Sequence, residues 1–93
     1  MNINIQYDGE RVTATDEKEN SVFYIKRGNL LEPLCASFEG VSYDKEEYRW
    51  KRSKRGAVST AFLNWITDFD KAVYNKHYNL WPIHFSLQTK NDI

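Results

Sequence analysis

Ile3-Asn4-Ile5-Gln6-Tyr7-Asp8-Gly9-Glu10-Arg11-Val12-Thr13-Ala14 is the stretch that decides the fold. Ile3, Ile5 and Tyr7 alternate with Asn4 and Gln6, the period of a half-buried strand. Asp8-Gly9 is the preferred dipeptide for a two-residue type I′ hairpin turn. Closing the chain there pairs Tyr7 with Glu10, Ile5 with Val12 and Ile3 with Ala14. The apolar residues then meet on one face, which is how a hairpin is stabilised. The chain therefore opens as an antiparallel sheet.

Further strands extend it. Asp16-Glu17-Lys18-Glu19-Asn20 is a charged loop, and Ser21 to Lys26 is rich in β-branched and aromatic residues, a third strand. Arg27-Gly28-Asn29 turns the chain. Leu34, Ala36 and Phe38 alternate with Cys35 and Ser37, so a fourth strand is expected between Pro33 and Gly40. Residues 41–52 fit a helix, a strand or an ordered loop equally well. A helix follows. At 100° per residue, Val58, Ala61, Phe62, Trp65, Ile66, Phe69, Ala72 and Val73 share an arc of about 140°. Its N-cap is expected between Ser53 and Ser59. Lys76 and His77 suit its last turn, and it should end near Asn79, ahead of Pro82. Trp81, Ile83, Phe85 and Leu87 alternate into a final strand, and residues 90–93 read as a frayed tail. The fold class is thus α+β. It is one compact domain over residues 1–93, in the order ββββαβ, with one long amphipathic helix on one face of a mostly antiparallel sheet.

Composition narrows the function classes. Ninety-three residues support one domain, and 41% hydrophobic with 15% aromatic residues make it a folded one. No apolar run reaches the roughly 20 residues of a membrane span, and the N-terminus has no signal-peptide pattern. The lone Cys35 forms no internal disulfide and reads as an inert buried thiol. A cytoplasmic location without membrane contact is the expectation. Thirteen Lys/Arg balance thirteen Asp/Glu. The balance is uneven: residues 1–47 hold ten acids against five bases, and residues 48–93 hold eight bases against three acids. Global electrostatic binding is excluded, while a local contact is not.

Three features could carry function. The segment Tyr48-Arg49-Trp50-Lys51-Arg52-Ser53-Lys54-Arg55 interleaves bases with rings. Such a run can meet phosphates by charge and nucleobases by stacking. Its expected position at the start of the helix would add the anion-attracting N–H groups there. The alternative is a solvated segment balanced by Asp44, Glu46 and Glu47, with Trp50 in the core. Second, Leu63, Thr67, Asp70 and Tyr74 form a stripe on the helix opposite its apolar arc, a face that a protein partner could use. Third, His77 and His84 could support acid/base cleavage of RNA or help hold a metal, but no carboxylate sits at a committing spacing. Asp68 and Asp70 lie about 160° apart on the helix and cannot share an ion.

Phosphate-loop, dinucleotide, zinc and hydrolase signatures are absent, so no cofactor is expected. The leading expectation is a small non-enzymatic binding protein, acting stoichiometrically on a protein partner as inhibitor, adaptor or regulator. Compact chains of this size are often made by phages and other mobile elements. The alternatives are nucleic-acid binding through residues 48–55 and a small ribonuclease built on His77 and His84. An uncovered edge strand would also permit a homodimer.

Overall fold

The computed structural model describes residues 2–28, 30–46, 49–54, 56–76 and 81–82. The chain is a small α+β domain. Its strands are β1 (Ile3–Asp8), β2 (Arg11–Asp16), β3 (Ser21–Arg27), β4 (Leu30–Phe38), β5 (Val41–Glu46) and β6 (Arg49–Arg52), followed by helix α1 (Thr60–Lys76) and β7 (Trp81–Pro82). β1 to β6 form an antiparallel meander in sequence order. β7 is two residues long and runs parallel to β4, pairing with Leu30 and Leu31. The helix and most of the described strands match the sequence expectation. The rest of the expected final strand, residues 83–87, the helix end near Asn79 and the tail lie outside the described residues.

The first hairpin forms, with its register two residues along from the expected one. Tyr7 pairs with Val12, Ile5 with Ala14 and Ile3 with Asp16, so the two turn residues are Gly9 and Glu10. Gly9 has φ 62°. A glycine with positive φ at the first central position is the requirement of a type II′ turn. A shift of two residues leaves every side chain on its face, whereas a shift of one would have inverted the hairpin.

The other corrections have equally local causes. β4 begins at Leu30, three residues before Pro33, because the ladder absorbs the proline with a bulge. Phe23 pairs with Cys35 and Tyr24 with Pro33, so Leu34 is the extra residue. Within the segment 41–52, Val41–Glu46 and Arg49–Arg52 are the strands β5 and β6, so among the described residues the sheet precedes the helix with six strands rather than four. Phe38 pairs with Val41 across a two-residue turn in which Glu39 and Gly40 both have positive φ, the pattern of a type I′ turn.

Ser59 is the N-cap of α1. Its Oγ accepts the Phe62 N–H at 3.1 Å, and its carbonyl accepts the Leu63 N–H at 3.1 Å. The helix lies across the strands. Near its start, Phe62 stacks on Tyr43 of β5 at 3.7 Å and meets Trp50 of β6 edge-on at 5.2 Å. One turn on, Trp65 packs against Phe38 of β4 at 4.8 Å, and its Nε1–H reaches Asp16 of β2. Asp70 meets Tyr24 of β3, and the Lys76 ammonium donates to the carbonyl of Ile3 in β1. The core is the layer between them: Val12, Ala14, Val22, Tyr24, Leu31 and Ala36 from the sheet, and Phe62, Ile66, Phe69 and Val73 from the helix.

Candidate binding surfaces

Strand pairing sorts every sheet residue to one of two faces. The buried set above faces α1. Thr13, Phe23, Cys35, Asp44 and Lys51 are successive cross-strand partners on the other face. Among the described residues, no helix or strand covers that open face.

The basic segment lies on this sheet rather than at the helix start. Arg49 to Arg52 are edge strand β6, and the helix begins at Thr60, so Lys54 sits well upstream of the helical N–H groups. Trp50 is 7% exposed and packs on Phe62, so it belongs to the core and offers no ring for stacking on a base. Antiparallel register places Asp44 opposite Lys51 and Glu46 opposite Arg49. The Lys51 ammonium also reaches Glu46 at 3.1 Å, an exposed pair that adds little stability but neutralises charge. Arg49, Lys51, Arg52 and Lys54 are exposed. Tyr48 and Arg55 lie outside the described residues, as do His77 and His84.

The helix stripe is broken by one residue. Asp70 is 0% exposed, and its Oδ1 accepts the Tyr24 hydroxyl proton at 2.6 Å. It is a core residue, not part of an outer face. The cause is geometric: Asp70 lies only about 40° beyond Ile66 on the helix, and the wide sheet beneath buries that margin. Leu63 is exposed at 44%, Tyr74 is half-buried, and the half-buried Thr67 turns its hydroxyl onto the Leu63 carbonyl at 2.9 Å. The face therefore offers one exposed apolar side chain.

The open sheet face offers more. Phe23 is 45% exposed and Leu34 39% exposed, and the bulge sets Leu34 and Cys35 against Phe23. Leu30 is exposed and Ile25 half-buried on the neighbouring strand positions. Charges of both signs border them, among them Arg27 paired with Glu32 at 2.7 Å, and Asp44 beside Lys51. This surface was missed in the sequence, although a signal existed. In Val22-Phe23-Tyr24-Ile25, apolar residues occupy both parities, so one pair had to face away from the helix.

A third place is a groove of about 740 Å³ between the helix end and the first hairpin, lined by Asn2, Ile3, Asn4, Thr15, Asp16, Glu17, Ala72, Asn75 and Lys76. Both of its carboxylates are already engaged. Asp16 accepts from the Lys18 and Asn20 backbones and from Trp65, and Glu17 accepts from the Asn2 N–H. Burial first, and Asp44 second, push the Cys35 thiol up, which keeps it unreactive. Among the described residues, no three His, Cys, Asp or Glu side chains converge as metal ligands, and no helix is long and apolar enough to cross a membrane.

No family model, curated protein or solved structure matches this chain.

Proposed function

We propose that the chain is a small non-enzymatic binding protein that acts stoichiometrically on a protein partner, as an inhibitor, adaptor or regulator. The observation that supports this reading is the open sheet face, where Phe23 and Leu34 stand exposed within a rim of mixed charge. Exposed apolar groups that converge inside a polar rim are the anatomy of a protein interface. The mixed charge of the rim supports a protein partner. A polyanion wants one sign of charge, whereas alternating carboxylates and bases suit a protein surface with an apolar projection. Nucleic-acid binding is the weaker reading, because Trp50 is in the core and two bases of β6, Arg49 and Lys51, lie opposite carboxylates.

The test compares binding by the unmodified chain with Phe23→Thr, Leu34→Thr and Leu63→Asp. Threonine keeps strand propensity while removing apolar area. A partner captured at equal stoichiometry should be lost with Phe23→Thr and with Leu34→Thr, and kept with Leu63→Asp. Retention by both open-face variants contradicts the reading. So does tight binding to single-stranded RNA or DNA that weakens steeply between about 50 and about 200 mM salt.

A further inference from the structure

The core of this domain holds an ionisable group that its packing does not require. Asp70 sits in the middle of α1, fully buried between Ile66, Phe69 and Val73 in the helix and the sheet below. Its Oδ1 takes the Tyr24 hydroxyl proton, and its Oδ2 has no hydrogen-bond donor among the described residues. A carboxylate has about four acceptor sites, so an ionised Asp70 is poorly served here. A carboxyl group can instead carry a proton on Oδ2 and leave only one acceptor for Tyr24 to fill. A buried polar group with half its bonds made is costly, and a buried charge more so.

We propose that the Asp70 carboxyl is a pH-sensitive latch between helix α1 and the sheet, holding the helix down when protonated and loosening it when ionised. The groups facing it are Tyr24 from β3 and Lys45 from β5, with Glu32 from β4 acting on Lys45. Lys45 also lies over the Trp50 ring, 5.6 Å from its centroid. Desolvation dominates at Asp70 and raises its pKa to about 7, against the smaller lowering effects of the Tyr24 hydrogen bond and the Lys45 charge. Tyr24 is raised in turn by burial and by Asp70, so it remains the donor throughout the neutral range.

The sign follows from proton counting. An unfolded aspartate titrates near about 3.9. Between there and about 7 the folded state holds the extra proton, so stability falls as pH rises through this window. Linkage between those two values gives an opening equilibrium roughly a hundredfold larger at about pH 8 than at about pH 5.

Hydrogen exchange of the α1 amides tests the latch, with rates corrected for the intrinsic pH dependence of exchange. In the unmodified chain the protection of Phe62 to Val73 should drop by roughly a hundredfold between about pH 5 and about pH 8. Asp70→Asn keeps the acceptor for Tyr24 and cannot ionise, so it should flatten that dependence. The comparison isolates Asp70 from the two histidines, which remain in the variant. If Asp70→Asn does not fold, the carboxyl carbon shift of Asp70 in the unmodified chain decides. A midpoint near 7 supports the latch, as the burial of the group requires. Protection independent of pH, an unchanged pH dependence in Asp70→Asn, or a carboxyl midpoint below about 5 would overturn it.

Discussion

Phe62→Ala should remove more stability than any other single truncation in the helix. Phe62 is fully buried and is the ring on which the others converge. It stacks on Tyr43 at 3.7 Å and 15°, meets Trp50 edge-on at 5.2 Å, and lies 5.9 Å from both Phe38 and Trp65. Truncating a buried Phe costs about 3–5 kcal/mol, which includes the cavity left behind. Each well-placed ring pair contributes about 0.5–1.5 kcal/mol beyond area, so the upper half of that range applies here. A domain of 93 residues has roughly 5–14 kcal/mol in total. The variant should therefore lose more than a quarter of its stability, with Tm lowered by roughly 15–30 °C. Urea unfolding followed by far-ultraviolet circular dichroism is the assay, because two of the contacting rings are tryptophans whose fluorescence baselines would change. The next residue supplies the control: Leu63 is exposed, and Leu63→Ala should stay within about 0.5 kcal/mol. A Phe62→Ala loss below about 1.5 kcal/mol, or a Leu63→Ala loss as large, refutes the packing described above.

Three further outcomes follow from single contacts. Asn20→Ala should cost about 1–3 kcal/mol in chemical denaturation, since the buried Asn20 amide accepts from the Glu39 N–H at 2.9 Å and donates to Asp16 at 3.1 Å. Gly9→Ala should cost about 1 kcal/mol by the same measurement, because the turn needs φ 62° at that position, where nothing crowds a Cβ and only the backbone objects. The pH profile of stability should have a trough between the two buried titrations. Asp70, raised to about 7, makes stability fall as pH approaches neutrality. Lys45, lowered to about 8 chiefly by desolvation, holds fewer protons folded than unfolded above that value, so stability recovers just above about 8, before the raised Cys35 and Tyr24 groups oppose it at higher pH. A monotonic profile across this range would contradict the burial of both groups.

The parts legible in the sequence are those set by local periodicity. The hairpin faces came from the alternation of Ile3 and Ile5 with Asn4 and Gln6, and the helix from an apolar arc eight residues strong. What escaped was set by tertiary context. Pro33 argued for a strand boundary, and the sheet instead absorbed it in a bulge whose extra residue is Leu34. Residues 41–52 carry charges at positions that alternate only after the register with β4 is known. That register also decided the basic segment, since cross-strand pairing with Asp44 and Glu46 is invisible along the chain. Asp70 lay at the margin of the helical arc, where wheel geometry cannot say how wide the sheet beneath it is.

Site-specific photocrosslinking in cells reaches the central claim most directly. A photoactivatable phenylalanine analogue would replace Phe23 on the open sheet face, with parallel placements at Leu63 on the helix and Arg52 on the edge strand. The open-face reading predicts one dominant protein adduct from position 23 and none of comparable yield from position 63 or 52. Protein adducts confined to position 63, or nucleic-acid adducts from position 52 with nothing from position 23, would contradict it.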